Sequence, residues 1–245
     1  MNNNYTISYL ILRQFIGALG IGLPWLLVIG CCLTCAQNCF QPSISHYYYS
    51  NMHIVFVGVL CLLGGFLICY KGNSDFENNS NFENTIANIA GFFAILVAAI
   101  PTSSKGFLGN DAWIQVSNYK CWFVKMHYAS AGLLFVCFAI FCFSIFQQSD
   151  SGVLTQASAI KKKKLRNLIY KICGWVIVIS IICIAVIAAI EHYKCKSECS
   201  LIPFSTFIFE TIAVSAFGFS WLLKGSLEWP HSKSAIKRRV IKYLR

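Results

Sequence analysis

Charge is scarce in this chain, acidic charge above all: Asp and Glu number 9 among 245 residues, and charged side chains of both signs make up 12%. A water-soluble domain carries roughly a quarter charged residues. With an apolar fraction of 57% there is too little polar surface here to cover a soluble fold. Alternation of apolar and polar residues over stretches of strand length is missing as well, which excludes a lipid-facing barrel and leaves helices as the way to satisfy the backbone in a bilayer. No His-Glu-x-x-His or His-x-x-x-His pair stands on one helix, and no Cys-x2-Cys pairs recur in zinc register. Inverted repeats and paired broken helices, the marks of many secondary transporters, are absent too. The first apolar segment has no small-residue cleavage site and is expected to act as an uncleaved signal anchor. The Met-Asn start and Tyr-Leu-Arg end carry no lipidation signal.

Long apolar runs are present instead. Spanning the roughly 30 Å hydrocarbon core takes about 20 mostly apolar residues at about 1.5 Å per residue. Six segments fit: 9–36, 53–70, 85–101, 124–146, 168–192 and 202–224. Mean hydropathy is +0.61. The expected fold is all-α, a polytopic bundle of six transmembrane helices forming a single domain over 1–230, followed by a basic tail over 231–245. Residues 71–84 are Asn-rich and 148–167 form a basic linker. Tyr70-Lys71-Gly72 and Leu223-Lys224-Gly225 both have the form of an ordinary helix C-cap.

A net charge of +11 does not indicate nucleic acid, because the Lys and Arg cluster beside apolar segments rather than over one soluble face. Alternating the loops puts 15 of the 20 Lys and Arg on one side, and only Lys105, Lys120, Lys125, Lys194 and Lys196 on the other. The richer side is cytoplasmic by the positive-inside rule. The N-terminus, the C-terminus and the 71–84 and 148–167 loops are therefore expected inside, and the loops near 37–52, 102–123 and 193–201 outside. The 231–245 tail, basic with Ile236, Val240, Ile241 and Leu244, reads as a retention signal that also suits the inner leaflet.

Most of the 13 cysteines fall within apolar segments, where Cys packs as a small apolar residue. Cys61 shares a face with Gly58 and Gly65, a small-residue pattern for close helix approach and for helix-mediated self-association. Cys31, Cys32, Cys35 and Cys39 crowd the outer end of the first span with no zinc spacing. Cys39, Cys121, Cys195 and Cys199 fall outside, and an oxidising compartment would pair them, as Cys195 with Cys199 or Cys39 with Cys121.

Ionisable groups within a span are expensive and mark function or tight pairing. Glu210 is one. Thr206, Glu210, Ala213, Phe217, Ser220 and Lys224 form a stripe at 4-3-4-3-4 spacing that should face the bundle. His53, His127 and His192 stand at outer helix ends, and Ser45 and His46 lie in the first outer loop with Tyr47, Tyr48 and Tyr49. Taken singly, each His suits the wet interface and each Tyr the aromatic belt. Taken with Glu210 they outline an outward-facing polar pocket, with His127 as the expected nearest ionisable neighbour of Glu210 across the small Ser130 and Ala131.

Several of these residues sit in short motifs. Pro42-Ser43-Ile44-Ser45 precedes the second span, His127-Tyr128-Ala129-Ser130-Ala131 opens the fourth, Arg166-Asn167-Leu168-Ile169-Tyr170 precedes the fifth, and Phe209-Glu210 with the 217–225 run fills the last. In these motifs the chain resembles a family of bacterial six-helix membrane proteins and is distantly similar to the Frag1/DRAM superfamily, over most of 40–225. That resemblance implies the six-helix architecture and an association with lipid, since better-known members are linked to lipid-anchor remodelling or autophagy. It implies no transferable catalytic set. The expected location is the bacterial inner membrane and the expected partners are membrane lipids, with no cofactor. Three functional classes follow: a lipid-associated protein with an outward polar pocket, a metal-assisted hydrolase acting on lipid through neutral His and a carboxylate, and a small ion- or proton-coupled transporter, for which Pro24 after Gly17, Gly20 and Gly22 marks a bend in the first span.

Overall fold

The computed structural model describes residues 3–34, 39–70, 77–103, 121–148, 157–194 and 204–227, and everything regular in them is helical. The elements are α1 (Asn3–Thr34), a 3-10 helix (Ile44–Tyr49), α2 (His53–Cys69), α3 (Glu77–Ala99), α4 (Cys121–Ile140), a π-helical turn (Phe141–Ile145) continuing into the short α5 (Phe146–Gln148), α6 (Ala157–Lys194) and α7 (Ser205–Leu227). Five stretches are long and apolar enough to cross a membrane: Ile11–Thr34, Asn81–Ala99, Trp122–Ile145, Lys163–Glu191 and Ser205–Gly225. The second apolar segment, His53–Cys69, is a shorter helix of 17 residues.

Two helices reach furthest beyond the expected spans. α3 begins within the Asn-rich 71–84 stretch and so includes Glu83, and α6 begins within the 148–167 linker and runs through Lys161 to Lys164. Ala, Lys and Leu are strong helix formers, and long cationic side chains lie along a helix past its apolar part, so the basic stretch prolongs the helix instead of ending it.

The helices pack as a ring in chain order. α1 meets α2, α2 meets α3, α3 meets α4, α4 meets α6, α6 meets α7, and α7 closes the ring on α1. Two glycine crossings bring backbones together. A Cβ on Gly17 would stand 2.7 Å from the Gly218 carbonyl oxygen, and one on Gly64 2.8 Å from that of Gly91. These join α1 to α7 and α2 to α3 as small-residue contacts of the membrane type. The Gly58–Cys61–Gly65 face is not used this way: Cys61 is exposed and a Cβ at either glycine meets nothing. Helix α1 runs unbroken through Pro24, and Gly17 and Gly20 serve the contact with α7.

The core is apolar and aromatic, centred on Phe138, Phe141, Phe217 and Trp221, with Phe138 and Phe217 stacked at 3.5 Å between centroids. Its outward faces are equally apolar. Leu168, Ile172, Trp175, Ile179, Ile182 and Val186 form an exposed stripe along α6, and Phe15, Trp25, Leu26, Ile29 and Leu33 are exposed on α1. Apolar surface on this scale marks a membrane or protein contact. Together with the spanning lengths it fits an integral multi-pass membrane protein.

Candidate functional site

The candidate site is built on the 42–50 segment, which folds inward instead of lying over the helix ends. Gln41, Ser43, Ile44, Ser45, His46, Tyr47, Tyr49 and Ser50 are all buried. A buried connecting segment must find partners for its backbone and polar side chains, and it finds them on four neighbouring elements. The first turn of α7 donates Phe207 N–H to the Pro42 carbonyl at 2.9 Å, which satisfies one of the amides every helix start leaves open. One turn further along α7, Glu210 Oε2 accepts the Ile44 N–H at 2.6 Å. Phe204, with φ of 62°, turns the chain into α7 and accepts Ile208 N–H, and its ring lies edge-on to Phe40.

Helix α4 supplies His127, which is 2% exposed. Its Nδ1 lies 2.6 Å from the Ile100 carbonyl and its Nε2 3.0 Å from Ser45 Oγ. A carbonyl only accepts, so Nδ1 carries the proton, and Nε2 of the neutral ring accepts from the Ser45 hydroxyl. The Ile100 carbonyl is available because it lies past the last turn of α3, just before Pro101. Tyr49 donates its hydroxyl to the Thr102 carbonyl at 2.5 Å, fastening the same exit from α3.

Within the segment, Ser43 Oγ and His46 Nδ1 are 2.6 Å apart, and Ser50 Oγ bonds to the Tyr47 carbonyl and to Met52 N–H, leading into α2. Tyr47 is fully buried against Phe207 and donates to the Cys39 carbonyl at 2.7 Å. Burial pushes its phenol well above the usual tyrosine range, so it remains a protonated donor. Cys39 is itself joined by a disulfide to Cys32 near the C-terminal end of α1, with Cα atoms 4.6 Å apart.

Of the expected pocket residues, the structure brings Ser45, His46, His127 and Glu210 to this one segment. The expected direct pair of His127 with Glu210 does not form. Glu210 takes the Ile44 amide and His127 takes the next residue's side chain, so the two are linked through the segment between them. His53 is held locally, Nδ1 donating to the Tyr48 carbonyl at 2.7 Å with the two rings edge to face. His192 lies in α6, and its side chain is outside the described residues. Cys39 pairs with Cys32 and not with Cys121, because α1 and the incoming segment place those two cysteines side by side. Cys195 and Cys199 lie outside the described residues. Of the Glu210 stripe, Ala213, Phe217, Ser220 and Lys224 are buried, and Thr206 and Glu210 are half-buried.

A second polar cluster escaped the sequence reading. Arg13 of α1, 1% exposed, directs Nε and Nη2 at the Tyr70 hydroxyl at 3.2 and 2.9 Å, and that hydroxyl donates to Glu83 Oε1 at 2.5 Å. Buried Lys224 lies 3.4 Å from the Phe146 carbonyl, and the Tyr70 ring packs edge-on against Trp221. Arg13 counted only toward the charge asymmetry, and Glu83 fell in what read as a loop. The signal that finds them is the one that singled out Glu210, an ionisable residue inside a spanning helix.

Among the described residues no group of three His, Cys, Asp or Glu side chains is placed to hold a metal ion. Both ring nitrogens of His127 are already engaged, one by a carbonyl and one by a hydroxyl. Comparison with known proteins finds no matching family model, no matching curated protein and no matching solved structure.

Proposed function

We propose that this is a lipid-associated membrane protein that crosses the bilayer six times, with both termini cytoplasmic, and receives a lipid headgroup at the polar cluster around Ser43 to His46. The observation that carries the reading is the state of Glu210. One carboxylate oxygen holds the Ile44 amide, and no described residue partners the other. A carboxylate within a membrane-crossing helix is too costly to leave without a donor. A headgroup bearing an amine or hydroxyl supplies one at this depth. His46, Ser43 and Ser45 ring the same segment with further hydrogen-bonding groups. The resemblance to six-helix proteins linked to lipid-anchor remodelling agrees with this choice. The engagement of His127 weighs against the metal-assisted alternative, and the unbroken α1 weighs against the transporter.

The test is lipid retention. Protein reconstituted in nanodiscs of equal phosphatidylethanolamine and phosphatidylglycerol, then released for native mass spectrometry, should carry phosphatidylethanolamine in excess. Glu210→Gln keeps an acceptor for the Ile44 amide but removes the charge, so it should fold normally and lose the enrichment. Equal retention of both lipids by wild-type protein would overturn the reading.

A further inference from the structure

His127 and Ser45 have a relation that headgroup binding does not require. In nucleophilic catalysis a hydroxyl lies within hydrogen-bond reach of a base, and a third group fixes that base in the correct tautomer. Here Ser45 Oγ is 3.0 Å from His127 Nε2, and the Ile100 carbonyl 2.6 Å from Nδ1 holds the proton on the far nitrogen. The unprotonated nitrogen therefore faces the hydroxyl. His127 is pinned from both sides and 2% exposed, and Ser45 is 8% exposed. Each residue comes from a different element, α4, the 3-10 helix and the exit of α3, so no local turn preference produces the arrangement. The backbone next to Ser45 is fixed as well, since Glu210 holds the Ile44 amide. Glu210 thus acts on Ser45 as a positioning residue.

We infer that Ser45 and His127 form a nucleophile–base dyad for acyl transfer from an ester-linked lipid, an inference that rests on the headgroup reading for its choice of substrate. Ser45 Oγ attacks the ester carbonyl carbon while His127 Nε2 takes the hydroxyl proton. The tetrahedral intermediate collapses with cleavage of the bond between the acyl carbon and the alcohol oxygen. The departing alkoxide takes the proton from His127 and leaves as the lyso-lipid alcohol, and the acyl group stays on Ser45. Water, or the hydroxyl of an acceptor, then gives its proton to His127 and attacks the acyl-serine, which returns Ser45 and releases a carboxylic acid or a new ester. The electron count is unchanged throughout, and no cofactor takes part.

The experiment uses the full-length protein in detergent with a small fluorophosphonate, a headgroup-free probe that reacts with activated serines, followed by peptide mapping. Wild-type protein should be modified at Ser45 far faster than at its other serines. His127→Ala should slow that modification by about 100-fold or more, the typical share of a general base. Ser45→Cys, nearly the same size, should still take an acyl group from p-nitrophenyl butyrate. Wild-type Ser45 that reacts no faster than the other serines overturns the dyad, and that result stands even where His127→Ala does not fold. Undiminished Ser45 labelling in a folded His127→Ala protein also overturns it. Phosphatidylethanolamine enrichment without Ser45 labelling removes the dyad and leaves the headgroup reading standing. Loss of both removes both.

Discussion

Tyr70 sits between a guanidinium and a carboxylate, and its single hydroxyl serves both: it accepts from Arg13 and donates to Glu83. Breaking a buried charge pair on one side is far more damaging than replacing both partners, because the remaining charge loses its compensation without regaining water. Glu83→Ala is therefore expected to destabilise the protein by about 3–5 kcal/mol. Tyr70→Phe removes a hydrogen-bonding group between charges and should cost about 1–3 kcal/mol. Arg13→Leu combined with Glu83→Leu should cost clearly less than Glu83→Ala alone. Unfolding of the purified variants in mixed micelles by increasing SDS fraction measures all three. A double variant less stable than Glu83→Ala would mean that Arg13 owes its place to other partners. At this scale the sequence was legible where one residue stood out alone. Glu210 announced itself as a carboxylate in an apolar run, and the rest of its stripe from Ala213 to Lys224 is buried as its spacing requires. Its partner was not legible, since a backbone amide 166 positions away leaves no mark in residue type.

Between helices the decisive residues are the smallest. Gly17 and Gly218 allow α1 and α7 to touch backbone to backbone, and Gly64 and Gly91 do the same for α2 and α3. Adding side-chain volume there must push helices apart, since the nearest atom is a carbonyl oxygen and not the end of a flexible chain. Gly218→Val is expected to destabilise the bundle by about 1–3 kcal/mol, the usual cost of overpacking. Gly58→Val, where a new Cβ meets open space, should cost little. Melting temperatures in one detergent compare the two directly. Matching losses would show that helix propensity rather than contact dominates. The sequence showed that α2 carries a small-residue face but pointed to Gly58, Cys61 and Gly65, about one helical position from the glycine that is used. Three small residues at helical spacing identify a candidate face. Which face meets a neighbour depends on how the helix is rotated, and that is set by partners such as Ile95 and Gly91 on α3. The 3-10 segment was illegible for a related reason: a polar loop and a polar segment tucked into a bundle have the same composition.

For the molecule as a whole, continuous apolar runs of spanning length foretold helices, because length follows from the thickness of a bilayer and the rise of a helix, and the missing alternation excludes a barrel. Orientation depends on different physics, the cost of moving Lys and Arg across the membrane. A disulfide offers an experimental test of it. Cys32 and Cys39 are joined at the end of α1 next to the 3-10 segment, and disulfides persist only where the compartment is oxidising. In the proposed topology, with 15 of the 20 Lys and Arg inside, that end of the bundle faces outward, where an oxidising compartment would keep the pair joined. Reporter fusions after Asn79 and after Ser232 should read cytoplasmic, and a fusion within 102–123 should read external. In intact cells, a membrane-impermeant reductant should release Cys32 and Cys39 for alkylation by an impermeant maleimide. Without the reductant, mass mapping should recover them as one linked pair. An external reading for the 148–167 stretch would sink the six-span topology, because Lys161 to Lys164 and Arg166 would then have crossed the membrane. A cytoplasmic reading for 102–123 would invert it, and the disulfide would then stand in a reducing compartment where it could not last.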